Sequence, residues 1–405
     1  MRFTVIGISD DPRPFFPPEV MKVISGGKVF AGGKRHHDIV GDILPADAAW
    51  IDITVPLKAV FEQFAKTNSD IIVFASGDPL FYGFANTIRK EVPDADITLF
   101  PSFNSLQTLA HRLVMPYHDM RIVSLTGRPW HEFDRALIER ATKIGVLTDK
   151  VHTPSAIAQR MMEYGYDGYA MSVGEHLGNP TCERVTVVSL AEAAKTEFEQ
   201  PNCLILSASR PLSPKPFGIP DHQFELLDGR EKMITKMPIR LLTLQALDLS
   251  GRRVLWDVGF CTGSVSIEAR LLFPHLQVVA FEIRQNCEEL ISHNCRRFGT
   301  PGIDVHMGDF LQTNTVDLPR PEAVFIGGHG GKLKEIIAKV LEVLQPGGCI
   351  VTNSVTSPVV QQMTDRRSSK DLFHEACEEL GLAEEIPTYI QLNDYNPIEI
   401  LKCVK

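Results

Sequence analysis

The chain has 405 residues, more than one hydrophobic core organises, so two or three domains of ~100–200 residues each are expected and a single small module is excluded. With 44% hydrophobic and 22% charged residues, 29 glycines and 27 prolines, the composition excludes collagen-like, low-complexity and broadly disordered chains. A formal charge of −9 and a pI near 5.8 provide no global positive field to hold a nucleic-acid backbone, so an anionic ligand needs a local cationic pocket.

The cysteines (182, 203, 261, 287, 295, 349, 377 and 403) form no C-x-x-C pair. Neither a zinc ribbon nor a disulfide framework is indicated; reduced thiols, a cytoplasmic location and no metal site are expected. Residues 1–6 run straight into an apolar strand without the charged start, apolar core and cleavage site of a signal peptide. No apolar run approaches ~18 residues, so no membrane span is expected.

In chain order, short apolar runs at 3–8, 71–75, 122–125, 145–147, 169–173 and 203–206 alternate with helical patterns, which predicts an α/β domain over 1–209. Four prolines and a glycine between Arg210 and Pro220 predict a linker over 210–229. A helix starts at Pro238, continues through Ile239, Leu242, Ala246 and Leu249, and stops at Ser250-Gly251. Strands follow at 253–258, 278–283, 303–307, 323–326 and 349–353, separated by helix-length segments, so 230–405 is predicted to form a parallel, doubly wound Rossmann-like sheet. A hairpin of 386–392 and 398–404, joined by the turn Asn393-Asp-Tyr-Asn-Pro397, closes its edge.

The strongest local signal is Val254-Leu-Trp-Asp257-Val-Gly259-Phe-Cys-Thr-Gly263-Ser-Val-Ser, a strand, a glycine turn and the start of a helix. Its glycines let a ligand approach the backbone at the open end of the sheet. Glu282 ends the next strand, where a carboxylate can accept from both ribose hydroxyls, and Gly308-Asp309 follows the third, so the segments outline a nucleoside pocket. The dinucleotide pattern G-x-G-x-x-G fits poorly, because the turn reads Gly259-x-x-x-Gly263. The arrangement resembles the class I S-adenosylmethionine-dependent methyltransferases, which implies a seven-stranded sheet and donor contacts at Asp257, Gly259, Gly263, Glu282 and Asp309. Cys261 stands where that family usually has glycine, so a tighter or shifted loop is expected. After the fourth strand, Phe325-Ile-Gly-Gly328-His329-Gly-Gly331 replaces the amine clamp of amino-methylating enzymes and leaves room for a large ligand. His329 is the one catalytic candidate there.

In the first half, Ala75-Ser76-Gly77-Asp78-Pro79-Leu80-Phe81-Tyr82-Gly83 follows an apolar strand. Its companions are Gly7-Ile-Ser-Asp-Asp11, Pro101-Ser-Phe-Asn-Ser105-Leu-Gln107, Leu125-Thr-Gly127-Arg128 and Val173-Gly-Glu-His-Leu-Gly178 with Glu183-Arg184. In this order they resemble the class III, or tetrapyrrole, methylases, which implies a two-lobed domain with donor contacts at Gly77, Asp78, Phe81 and Ser105. Gly32-Gly33-Lys34-Arg35-His36 resembles the branch that methylates precorrin at C5.

The fusion, with Ile234-Thr-Lys236-Met-Pro-Ile-Arg240 and Asn353-Ser-Val-Thr356 in its second half, resembles the precorrin-6Y C5,15-methyltransferase (decarboxylating) family over nearly the whole chain. The resemblance implies a bifunctional corrin-pathway enzyme with one S-adenosylmethionine site per domain. The first domain would methylate C5; the second would methylate C15 and remove carbon dioxide from the C12 acetate. Ser9-Asp10-Asp11 and Cys261 depart from the family's glycine-richer loops.

A polycarboxylate tetrapyrrole needs Arg and Lys at each mouth, which marks Arg35 and Arg128, with Lys34, in the first domain and Lys236 and Arg240 in the second. Of His36 and His37, one is expected buried and one exposed, and the spacing of Cys287, His293 and Cys295 does not put all three on one helix face. The class III resemblance further implies a homo-oligomer, while the acidic charge and the missing amine clamp argue against a nucleic-acid partner and the lack of a long apolar run against a membrane. An RNA-modifying methyltransferase, a non-catalytic tetrapyrrole- or donor-binding protein and a dehydrogenase stay as alternatives.

Overall fold

The computed structural model describes residues 1–355, 368–392 and 396–405. Thr356 and residues 393–395 of the expected turn lie outside them. Contacts divide the chain into two units: Met1–Arg128, Ala141–Met162 and Asp167–Leu212 form one, and Pro129–Arg140, Glu163–Tyr166 and Ser213–Lys405 the other.

The first unit has two sheets. Strands β1 (Arg2–Ile8), β2 (Val29–Gly32), β3 (Ala49–Asp52), β4 (Ile71–Ser76) and β5 (Asp96–Phe100) pair in the order β3-β2-β4-β1-β5, all parallel. Strand β4 is apolar along most of its length because both faces are covered: Ile71, Val73 and Ala75 enter one core with Phe3 and Val5, while Ile72 and Phe74 enter another with Ile6. Strands β6 (Arg121–Ser124), β7 (Lys143–Leu147), β8 (Tyr169–Glu175), β9 (Arg184–Ser189) and β10 (Asn202–Ala208) form the second sheet, β6-β7-β10-β8-β9, in which β6 and β7 are parallel and the other pairs antiparallel.

The second unit carries β11 (Val254–Val258), β12 (Gln277–Glu282), β13 (Ile303–Met307), β14 (Ala323–Ile326), β15 (Cys349–Val355), β16 (Ala383–Glu384), β17 (Thr388–Ile390) and β18 (Ile398–Val404). The order is β13-β12-β11-β14-β15-β18-β16, with β17 also on β18. Strands β11 to β15 are parallel and β18 is antiparallel to β15. All five residues of β11 are buried, and Trp256, wholly enclosed, keeps its indole N–H satisfied by Pro319 O at 3.0 Å. Strand order reverses between β11 and β14, which places a ligand crevice at their carboxyl ends.

Seven strands were expected, and the described sheet has eight. The additional one comes from an interruption of the edge: Glu384 pairs with Cys403 and Thr388 with Ile400, so the edge chain spends one residue more than β18 over that stretch. The bulge lies beside Pro387, which offers no N–H to the ladder. The helix expected through Leu249 spans Met237–Ala246, with Pro238 in its first turn, and is cut short where Asp248 adopts a left-handed conformation (φ 50°). Within 210–229, Ile219, Phe224 and Leu227 are buried in the core of the second unit against the helix Asn286–Phe298. Among the described residues no helix is long and apolar enough to cross a membrane.

Candidate functional site

In the second unit the crevice begins with the turn after β11. Gly259 sits at φ +79°, and a Cβ there would come within 2.5 Å of Gly328 N, so the two turns meet through backbone that only glycine permits. Gly263 (φ +73°) begins the helix Ser264–Leu272, whose side chain at 263 would strike Ile291 at 2.4 Å. Between them Cys261 is also left-handed (φ +51°) and nearly buried, and its N–H donates to Glu282 Oε2 at 3.0 Å. The family's glycine thus has a physical reason, since a side chain in this conformation costs ~1–2 kcal/mol. The loop accepts cysteine by strain; its thiol is raised by burial.

Two adjoining clefts open here. One, about 450 Å³, is walled by Glu282, Asp309 and His329; the other, about 820 Å³, by Lys236, Asp257 and Asn353. Gly259, Arg284 and Gly328 border both. Asp257 is 1% exposed; its Oδ2 accepts from Ser266 Oγ at 2.6 Å, while Oδ1 has no partner among the described residues. Burial pushes this carboxyl up to about 7 against the hydrogen bond from Ser266. Glu282 is 3% exposed, and although burial alone would raise it, Arg284 and the Cys261 N–H hold it below the usual carboxylate range. Asp309 Oδ1 accepts from Leu311 N at 3.0 Å and Oδ2 lies 3.5 Å from Lys332 Nζ.

His329 stands in the wall of the smaller cleft with both ring nitrogens engaged. Gly331 N–H donates to Nδ1 at 3.2 Å, which leaves Nε2–H to donate to Ser369 Oγ at 3.0 Å. Burial lowers its pKa, so it is a neutral loop brace.

Arg240 corrects the sequence-based expectation of a cation at the cleft mouth. It is fully buried: Nε donates to Glu268 Oε2 at 2.6 Å, Nη1 to Thr235 O at 2.7 Å and Nη2 to Ile219 O, and the guanidinium lies 5.0 Å from the Phe224 ring centre. It ties the entry segment to the helix Ser264–Leu272 and presents no donor to a ligand. Lys236 does wall the larger cleft, its Nζ 2.9 Å from Glu231 O and 3.6 Å from Asp221.

In the first unit the carboxyl ends of β1 and β4 converge. A Cβ on Gly7 would fall 1.8 Å from Gly77 O, and one on Gly77 (φ +60°) 2.8 Å from Asn104 Cα, which sets Ser105 beside the Gly77 turn. Asp78 Oδ1 accepts from Leu80 N at 2.8 Å and shapes the loop. Phe81 turns its ring onto the buried cluster of Leu106, Leu109, Cys203 and Ile205. Ser105 points its hydroxyl at the Cys203 thiol, which burial raises to about 12. Arg128 bonds Ser124 Oγ at 2.8 Å and sits 5.0 Å from the Tyr82 ring centre, next to that loop.

Arg35 donates to Asp10 Oδ1 at 2.7 Å and to Ser76 Oγ at 2.8 Å. Gly33 N–H donates to His36 Nδ1 at 3.3 Å, so Nε2–H donates to the same Ser76 Oγ at 3.0 Å. Burial and then Arg35 lower His36 to about 4, which makes it neutral near pH 7. The second acceptor of Asp10 lies 3.2 Å from His176 Nδ1, whose Nε2 is 3.3 Å from Glu199. Asp10, Ser76, His176 and Glu199 were not singled out as site residues; His176 inside Val173–Gly178 was the available signal, and its φ of +48° marks a held conformation. His37 is exposed and packs on Trp50 at 4.4 Å; His293 faces Glu225 while Cys287 and Cys295 are buried.

The doubly wound order, the glycine cradle at the strand reversal and the acidic strand end beside it define an S-adenosylmethionine-dependent methyltransferase. The residues fit such a donor: a carboxylate at the strand end walls the smaller cleft, a buried carboxylate oxygen without a partner among the described residues belongs to the wall of the larger, and the side-chain-free turn at Gly259 borders both. Sequence profiles agree, matching the precorrin methyltransferase domain at 227–374 and the tetrapyrrole (corrin/porphyrin) methylases at 17–194. A precorrin-6Y C(5,15)-methyltransferase [decarboxylating] from Sinorhizobium sp is 29% identical over 90% of this chain and 87% of its own. A cobalt-precorrin-6B C(15)-methyltransferase (decarboxylating) from Salmonella typhimurium is 34% identical over 44% of this chain and 93% of its own, and a cobalt-precorrin-7 C(5)-methyltransferase from the same organism is 26% identical over 50% and 98%. The chain belongs to the precorrin-6Y C5,15-methyltransferase (decarboxylating) family.

Proposed function

We propose that this chain methylates a polycarboxylate corrin precursor at two carbons, C5 through the first unit and C15 through the second, with decarboxylation of the C12 acetate in the second, and that each unit has its own S-adenosylmethionine site. The observation that carries this is the crevice of the second unit: a nucleoside-sized cleft adjoins an 820 Å³ cleft across Gly259 and Gly328. Bound donor supplies an electrophilic methyl group to an electron-rich ring carbon, so no protein nucleophile is needed.

The residues contribute orientation and electrostatics. Glu282 is placed to accept ribose hydroxyls, Asp309 to meet the base edge, and the free Oδ1 of Asp257 to receive the ammonium of the donor's amino-acid end. Gly77 and Asp78 form the corresponding turn in the first unit, with Ser105 beside it. Arg35 and Arg128 beside it, and Lys236 in the second unit, meet substrate carboxylates. Two donors fill Ser76 Oγ, so its own hydrogen is left to bond a substrate oxygen. We place the protein in the cytoplasm as a homo-oligomer that binds no nucleic acid, a reading in keeping with its charge of −9.

Mass spectrometry of products from the full chain tests the proposal. Wild type is expected to yield two methyl increments and loss of carbon dioxide. Gly259→Val is expected to lose the C15 methyl and the decarboxylation while keeping the C5 methyl, and Gly77→Val to lose the C5 methyl. A single increment in wild type overturns the two-site reading.

A further inference from the structure

Glu282 is over-supplied with donors. Oε1 accepts from Ile283 N at 2.9 Å, Arg284 N at 3.1 Å and Arg284 Nε at 2.9 Å; Oε2 accepts from Cys261 N at 3.0 Å and Arg284 Nη2 at 2.7 Å. An ionised carboxylate offers about four lone-pair sites, so no capacity is left for a ribose diol. Three of the five donors are backbone N–H groups fixed by the turn and the strand end. The other two come from the Arg284 side chain, the one group that rotation can withdraw, and its departure frees an acceptor site on Oε2 for a ribose hydroxyl; the Arg284 side chain is 35% exposed where that of Glu282 is 2%.

Arg284 also borders both clefts, the one holding Glu282 and Asp309 and the one walled by Lys236 and Asp257. A guanidinium leaving Glu282 therefore stays at their shared edge, where a carboxylate in the larger cleft is its natural bidentate partner. Among the described residues the Cys261 and Cys287 thiols also act on it, and both are raised by burial and so neutral.

We propose that Arg284 is an exchange latch: it seals Glu282 while the donor cleft is empty, yields that carboxylate to the donor's ribose, and is then handed to a carboxylate of the tetrapyrrole. This rests on the donor site proposed above. The handover makes the two ligands bind with positive coupling, reciprocal by thermodynamic necessity.

Calorimetry on the full chain tests it, with S-adenosylhomocysteine as the donor-site probe and uroporphyrin III, an eight-carboxylate tetrapyrrole, as the substrate-site probe. Arg284→Gln removes the competitor, so S-adenosylhomocysteine alone is expected to bind it about ten-fold more tightly than wild type, the scale of one charge-assisted pair. Uroporphyrin III should tighten S-adenosylhomocysteine binding several-fold in wild type, not at all in Arg284→Gln, and in part in Arg284→Lys. Unchanged or weaker binding of S-adenosylhomocysteine to Arg284→Gln overturns the latch, as does absence of coupling in wild type. Glu282→Gln separates the two levels: if it removes one of the two S-adenosylhomocysteine equivalents the donor site stands whatever Arg284 does, and if both equivalents bind as in wild type the donor-site assignment itself fails.

Discussion

Replacing Arg240 distinguishes a buried strut from a substrate contact. Arg240→Ala leaves Glu268, 1% exposed, as a buried carboxylate without its counter-charge, a change that costs ~3–5 kcal/mol in general. Glu268 keeps two backbone donors, Gly218 N at 2.6 Å and Ile219 N at 3.2 Å, which argues for the lower end, about 3 kcal/mol. Loss of donors to the Thr235 and Ile219 carbonyls adds roughly 1 kcal/mol. At ~2–4 °C per kcal/mol for a unit of this size, a loss of about 4 kcal/mol lowers its melting transition by roughly 8–16 °C. Differential scanning calorimetry of the full chain reads this directly. Arg240→Met paired with Glu268→Gln should recover most of the loss, since charge and counter-charge leave together. A variant that melts within a degree of wild type yet no longer binds uroporphyrin III would refute the strut and restore Arg240 to the ligand.

Other perturbations have signed outcomes. Burial pushes the Asp257 carboxyl up to about 7, and an ammonium group binds its ionised form, so S-adenosylhomocysteine affinity should rise with pH between about 6 and 8; Asp257→Asn should flatten that slope, and equal slopes in calorimetry would contradict it. His36 folds neutral, lowered from 6.5 to about 4, so the unfolded chain binds more protons in that interval; stability rises from pH 4 to 6.5 by up to roughly 3 kcal/mol, and His36→Asn should remove this share of the dependence in urea titrations. Cys261→Gly relieves the left-handed strain but deletes a nearly buried thiol, so the unfolding free energy from urea titration should change by less than about 1 kcal/mol in either direction.

The core strands were legible because both faces of β4 and β11 are covered and the runs are continuously apolar. Strands β2, β3, β5 and β9 were not, being short or mixed in burial: Ala49–Asp52 buries only Ile51, and Asp96–Phe100 has no fully buried residue. The glycine turns and Glu282 were legible because positive φ and a strand-end carboxylate leave a local mark. Arg240 was misplaced because motif position does not reveal burial, and its partner Glu268 lies a helix away. The Asp10, Ser76 and His176 cluster is assembled from segments far apart in the chain, so beyond the place of His176 inside Val173–Gly178 it leaves no local pattern.

The most direct test of the central claim is the number of donor sites, read by isothermal titration of the full chain with S-adenosylhomocysteine. Two equivalents per chain are expected, with Gly77→Val and Gly259→Val each removing one and the double variant both. One equivalent in wild type, or two that survive Gly259→Val, would contradict it.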